Sequence, residues 1–167
     1  IPLSHSLVTV AAVQTAPEKT LDANLAQVGE LLAEAADRGA KIVVLPENFA
    51  YYGHTNLPAI GAQEADETGP VRQFLSQQSR RLGIWIVGGT IPVVADKSKP
   101  YARSLVYSAS GDCVGHYDKI HLFDAEVESM AGTSSYAESS DYSYGQSVKT
   151  LDSDYCKLGL TVCYDLR

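Results

Sequence analysis

Three residues of this 167-residue chain directly or closely follow apolar runs: Glu47 after Lys41–Leu45 and Pro46, Lys119 after a run ending at Tyr117, and Cys163 after Leu158–Val162. Strand ends of this kind are where α/β folds meet their ligands. A thiolate is a strong nucleophile, but a free cysteine with a pKa of about 8.5 is only a few per cent ionised at neutral pH. An ammonium at ~4 Å, with an effective dielectric of ~20, would favour the thiolate by on the order of 4 kcal/mol, nearly three pKa units before desolvation. Lys119 could supply it, and Glu47 could act as general base if burial raised its pKa. Lys119 and the backbone N–H of Tyr164 could both donate to an oxyanion. A cysteine at a strand-to-turn junction also resembles the strained elbow that aims a nucleophile outward. Each residue has a plainer reading: a small buried hydrophobe for Cys163, a helix-start carboxylate for Glu47, and a solvated partner of Asp118 for Lys119.

The elements that would position these groups are legible from periodicity. Leu7–Gln14 reads as a strand covered on both faces. Leu21–Arg38 carries apolar residues at helical spacing, with Thr20 as N-cap and Gly39 as C-cap. Lys41–Leu45 is a second buried strand, so strand, helix and strand form a right-handed parallel βαβ unit. Glu47–Thr68 reads as a loop with local helix. A helix opens at Pro70 and closes at Gly83, followed by a strand over Ile84–Thr90. Tyr101–Ser108 and Cys113–Tyr117 read as a hairpin, Asp124–Gln146 as a polar loop, and Val148–Leu151 and Lys157–Val162 as strands. Helices on one sheet face leave the other apolar, which argues for an α-β-β-α layered sandwich.

Thirteen Lys plus Arg against 20 Asp plus Glu give a net charge of −7, which disfavours nucleic acid as a partner. At 45% apolar and 20% charged residues the composition is globular, and no apolar run approaches the ~18 residues of a membrane span. Cys113, Cys156 and Cys163 form no CxxC pair, and their odd number reads as a reducing, cytoplasmic setting. His5, His54, His116 and His121 lack metal-ligand spacing.

The strings around the three residues resemble the nitrilase superfamily of carbon–nitrogen hydrolases. They are Gly39-Ala40-Lys41-Ile42-Val43-Val44-Leu45-Pro46-Glu47-Asn48-Phe49, Tyr117-Asp118-Lys119-Ile120-His121-Leu122-Phe123-Asp124 and Gly159-Leu160-Thr161-Val162-Cys163-Tyr164-Asp165-Leu166-Arg167, with Ile84–Pro92 fitting the third-strand region. The resemblance implies Glu47 as general base, Lys119 as oxyanion-stabilising cation and Cys163 as nucleophile. It implies Glu138 as a second glutamate that positions Lys119, with Glu126 and Glu128 as competitors. The chemistry the resemblance implies is hydrolysis of a small amide through a thioester, without metal or organic cofactor. Within that superfamily, Lys119-Ile120-His121-Leu122-Phe123-Asp124 and Cys163-Tyr164-Asp165-Leu166-Arg167 resemble the small-acid amidases, ω-amidases and deaminated-glutathione amidases, whose substrates are anionic. Arg167 is then a candidate for the substrate carboxylate, or a structural partner of Asp165. Tyr164, Phe49 and Tyr52 are candidate substrate-binding residues, with loop packing as the competing role for Phe49, Tyr51 and Tyr52. Residues 1–167 are expected to form the N-terminal portion of a single carbon-nitrogen hydrolase domain whose remainder follows Arg167, in a homodimer or higher homo-oligomer. Two other functions stay open: a Cys–His protease using His116 or His121, and a silent binding module working through the Tyr136–Tyr144 loop.

Overall fold

The structure, a computed structural model, describes residues 7–96, 99–129 and 132–166. Its centre is a six-stranded sheet. The parallel part is β1 (Val10–Ala12), β2 (Ile42–Val44) and β3 (Trp85–Val87), joined through helices α1 (Leu21–Asp37), α2 (Leu57–Gln63) and α3 (Pro70–Leu82). The antiparallel part is β4 (Ile91–Val93), β5 (Tyr101–Tyr107) and β6 (Cys113–Asp118). The expected βαβ unit is present, and the Thr20 hydroxyl caps α1 by accepting the Ala23 N–H at 3.2 Å.

Three elements differ from the sequence reading. β1 is not covered on both faces: it lies at the sheet edge, and Val10 is 53% exposed. The run Ile84–Thr90 is not one unbroken strand. β3 and β4 pair in succession with the same side of β5, but their register shifts by one residue across the Gly88–Thr90 segment. Asp124–Gln146 is not all loop. β7 (Asp124–Ser129) and β8 (Gly132–Ala137) form a two-stranded hairpin of their own. That hairpin has little apolar alternation, because it pairs with itself and stands apart from the main sheet.

The sheet sorts its side chains by the two-residue period of a strand. Val43, Ile86 and Leu105 face the helices and pack with Val28 and Leu32 of α1 and Val71 and Leu75 of α3. Their neighbours Ile42, Trp85 and Val106 face the other way. There they meet Leu160 and Val162, brought by the hairpin of β9 (Lys149–Asp152) and β10 (Lys157–Leu160). The Trp85 indole N–H donates to Asp154 at 3.0 Å and pins the turn of that hairpin to the sheet. Helix layer, sheet and opposed hairpin follow the α-β-β order expected of the sandwich.

Candidate active site

The loop after β2 carries Glu47, and two contacts fix it. The Pro46 carbonyl lies against Gly89, where an added Cβ would come within 1.9 Å of it, so only glycine fits at this approach. The Asn48 N–H donates to the Thr90 hydroxyl at 3.0 Å, and Asn48 itself takes a left-handed φ of 54°. The register shift between β3 and β4 thus forms the seat for Glu47. Farther along, the buried Asn24 amide of α1 donates to Ala50 O at 3.0 Å.

Lys119 leaves the end of β6. Its N–H donates to Ala102 O at 3.0 Å, and its carbonyl accepts from Gly145 N at 2.9 Å. Gly145 presses so closely on the Asp118 carbonyl that a Cβ would stand 2.0 Å away. The Lys119 side chain is 2% exposed. Its Nζ donates to Glu47 Oε1 at 2.8 Å and to Glu138 at 2.8 Å (Oε2) and 3.1 Å (Oε1). Glu138 also accepts the Phe123 N–H at 2.6 Å. Burial alone would lower the lysine's pKa, but the hydrogen bonds and charges of Glu138 and Glu47 outweigh it and hold the ammonium above its usual range.

Cys163 follows β10 and opens a single 3-10 turn, Cys163–Leu166, with a φ of 45°. A non-glycine residue in this region stores backbone strain of order 1–3 kcal/mol, which the surroundings must sustain. Asp165 does much of that. Its buried carboxylate accepts from Val162 N at 2.9 Å and Tyr117 Oη at 2.7 Å through one oxygen. The other oxygen accepts from His121 N at 2.8 Å and faces His121 Nδ1 at 2.9 Å. One side chain therefore ties the Cys163 turn to the segment carrying Lys119. Burial would push the Asp165 carboxyl up, yet these hydrogen bonds overcome it and hold it below the usual carboxylate range.

Glu47, Lys119, Glu138 and Cys163 open onto one cavity of about 610 Å³. The electrostatics differ from the simple lysine–thiol pair. Burial pushes the Cys163 thiol up, the neighbouring Glu47 carboxylate pushes it further, and Lys119 only partly opposes them. One ammonium shared by two carboxylates leaves a local charge of −1, so the expected lowering of the thiol pKa is reversed. The arrangement can hold a protonated thiol beside a carboxylate able to take its proton, with an ammonium in reach of a developing negative charge.

The other sequence candidates are dispersed. Tyr52 lines the cavity mouth and is 63% exposed. Phe49 does not line the cavity: it is buried in the helix-side core, because the loop turns inward after Asn48. Tyr51 turns away too, its hydroxyl donating to the buried Glu64 at 2.9 Å. The Tyr164 ring packs edge-on against Phe123, with centroids 5.3 Å apart. Arg167 and the Glu128 side chain lie outside the described residues; Glu126 is exposed on β7. Asp165 is already engaged by Tyr117, His121 and Val162. His116 and His121 are absent from the cavity lining, which removes support for a Cys–His site. Among the described residues no cluster of His, Cys, Asp and Glu is arranged to hold a metal ion. No described helix is long and apolar enough to cross a membrane.

Residues 9–167 match the family model described as carbon-nitrogen hydrolase. The chain belongs to the carbon-nitrogen hydrolase family. This carbon-nitrogen hydrolase chain is 31% identical over 160 residues to the deaminated glutathione amidase of Yersinia enterocolitica, covering 95% of this chain and 54% of that one. It is 36% identical over 159 residues to omega-amidase NIT2 of Mus musculus, covering 95% and 55%. Among solved structures it resembles Saccharomyces cerevisiae Nit3, a member of branch 10 of the nitrilase superfamily. The TM-score is 0.73 at 29% identity, over 89% of this chain and 52% of Nit3. An amidase from Nesterenkonia shares the fold with a TM-score of 0.76 at 21% identity, over 98% of this chain and 58% of that one. The chain spans about half the length of the curated relatives it matches.

Two residues at the site carry weaker signals in the sequence. Asp165, a candidate partner for Arg167, stands two residues past Cys163 and next to its strained turn. Tyr142, which lines the same cavity, belongs to the tyrosine-rich loop Tyr136–Tyr144. Its position four residues past Glu138, on the same turn, was the available signal: the Tyr142 N–H donates to Glu138 O at 3.0 Å.

Proposed function

We propose that the full-length protein is an amidase that hydrolyses the carbon–nitrogen bond of a small carboxylate-bearing amide through a Cys163 thioester and releases ammonia. The observation that carries this reading is the Lys119 ammonium held between Glu47 and Glu138 in the cavity that Cys163 enters from a left-handed turn. Glu47 takes the Sγ proton as sulfur attacks the amide carbonyl carbon. Lys119, with the Tyr164 N–H, holds the oxyanion. As the tetrahedral adduct collapses, Glu47 returns its proton to nitrogen and ammonia departs. Glu47 then deprotonates a water that attacks the thioester carbonyl, and sulfur leaves as the thiol when the proton passes back. The sequence consumes one amide and one water and yields one carboxylic acid and one ammonia. It calls on no metal or organic cofactor.

Glu138 is assigned as a positioning residue: it shares Lys119 with Glu47 and is itself held by the Phe123 N–H. The substrate class rests on the relatives named omega-amidase and deaminated glutathione amidase, with Arg167 proposed to meet the substrate carboxylate. Ammonia release by the full-length protein from a panel of 2-oxo-acid amides tests the reading. Release from at least one of them, abolished by Cys163→Ala, is the expected result. No release from any, or release that survives Cys163→Ala, overturns it.

A further inference from the structure

We infer that the cavity between α3 and the turn joining β5 to β6 is a second binding site, for a small zwitterion of the α-amino-acid class, its carboxylate on the Arg72 guanidinium and its ammonium beside Glu67 and Asp112. This site is independent of the amidase reading.

The cavity has a volume of about 530 Å³ and shares no lining residue with the one that holds Cys163. Small-ligand sites span ~300–1,000 Å³. Cys113, on its wall, opens β6, whereas Lys119 follows the other end of that strand. At about 3.3 Å per residue the run between them extends for roughly 20 Å. The turn is pinned to the helix: the Ser76 hydroxyl donates to Gly111 O at 2.6 Å, and Arg80 Nε donates to Ser110 O at 2.8 Å. The walls are therefore in place before a ligand arrives, which lowers the ordering cost of binding.

Arg72 is the residue that asks for a ligand. It lines the cavity and is only 8% exposed. Its Nε donates to Glu64 O at 2.7 Å. Among the described residues neither Nη atom makes a hydrogen bond, and no carboxylate comes within 4.0 Å of the guanidinium. The Glu64 carboxylate does not answer it. That group accepts from Tyr51 Oη and Val71 N, both at 2.9 Å, and from the backbone N–H of Arg72 at 3.3 Å. An arginine buried this far is ordinarily paired. No buried side-chain nitrogen or oxygen of the described residues lacks a partner, so the Nη atoms keep access to solvent, and the cavity is where they meet it. A planar guanidinium with both Nη groups open matches the two oxygens of a carboxylate.

The remaining charges choose the rest of the ligand. Glu67, Asp112 and Arg80 are exposed, so the described lining carries two positive and two negative charges. A phosphate dianion would leave this set with excess negative charge, whereas a zwitterion leaves it balanced. Arg72 lies deep and the two acids lie outside it, so the carboxylate points inward and the ammonium outward. Both kinds of charge bear on the Cys113 thiol: burial holds it above its usual range, Arg72 opposes that rise and Glu67 adds to it.

Cys113 therefore reports on occupancy without turnover. The test measures iodoacetamide alkylation of Cys113 in the full-length protein, mapped by mass spectrometry, with Cys156 as the reference. The standard L-α-amino acids are added one at a time. For the best of them, the 2-oxo acid and the amine of the same chain are added in its place, and then inorganic phosphate. At least one amino acid is expected to slow Cys113 alone, saturably, by about tenfold at ten times its Kd as mass action requires. Arg72→Gln should raise the half-protecting concentration at least about tenfold. Because Arg72 also holds Glu64 O, the exposed Glu67 gives a second variant that leaves the fold alone: Glu67→Gln should raise that concentration about two- to fivefold. Absence of protection by every amino acid, protection that is unchanged in Arg72→Gln or in Glu67→Gln, or equal protection by the 2-oxo acid, the amine or phosphate would overturn the assignment. Loss of ammonia release with Cys113 still protected would refute the amidase reading and leave this site standing.

Discussion

Glu47→Gln should make Cys163 easier to ionise and the enzyme nearly inactive. Burial and the Glu47 carboxylate are the two largest influences raising the thiol, with Lys119 opposing them. Replacing the carboxylate by an amide keeps the shape, removes the negative charge and leaves the ammonium shared with Glu138 alone. A unit charge at ~4 Å with an effective dielectric of ~20 is worth on the order of 4 kcal/mol, about three pKa units, as an upper bound. Solvent in the cavity mouth screens part of it, so a fall of at least about one unit is expected. The assay is the rate of iodoacetamide alkylation of Cys163 against pH, mapped by mass spectrometry, with the exposed Cys113 and Cys156 as internal references. The midpoint should move to lower pH in Glu47→Gln while ammonia release falls by about 10²–10⁴-fold through loss of the base. An unmoved or more alkaline midpoint would refute the charge argument, and retained turnover would refute the role of Glu47.

Lys119→Met leaves Glu47 and Glu138 facing each other without a cation. With those side chains keeping 27% and 17% exposure, the loss should sit near the low end of the buried-pair range, about 3 kcal/mol in urea unfolding. Asp165→Asn removes an acceptor needed by Val162 N or Tyr117 Oη and should cost about 1–3 kcal/mol at pH 7. Because the folded Asp165 carboxyl is depressed, its contribution is full above the unfolded value of about 4 and is lost as pH falls through the folded one. The difference between wild type and variant should therefore shrink in unfolding measured below about pH 4. Gly145→Ala forces a Cβ into the Asp118 carbonyl and should cost about 1–3 kcal/mol, read as a lowered Tm, while displacing Lys119 and reducing kcat.

The parts of the fold written in strong periodicity were legible: α1, α3 and the parallel strands between them each bury one repeating set of apolar residues. The β7–β8 hairpin was not, because its strands satisfy their backbone groups with each other and carry little apolar alternation beyond Ala125 and Val127. The break at Gly88–Thr90 was hidden for a related reason. Both halves of the run are apolar, and the register shift lies in backbone geometry that composition does not report. Glu47, Lys119 and Cys163 stood out as polar residues at strand ends, and the structure brings them to one cavity. The effect of their meeting on the thiol was not legible, since the attraction of Lys119 for a thiolate is offset by the two carboxylates that share its charge. Phe49 shows the same limit. An aromatic residue beside a site has the same composition whether it faces the ligand or the core, and here the inward turn of the chain after Asn48 decides for the core.

The most direct test is to quench turnover of the full-length protein with acid and map the acylated peptide by mass spectrometry. The expected result is the acyl mass of the substrate on Cys163, lost on treatment with neutral hydroxylamine as a thioester requires, and absent in Cys163→Ala. Ammonia released with the acyl mass on another residue, or with none on Cys163 at any quench time during steady turnover of a slowly hydrolysed amide, would contradict a cysteine nucleophile in this cavity.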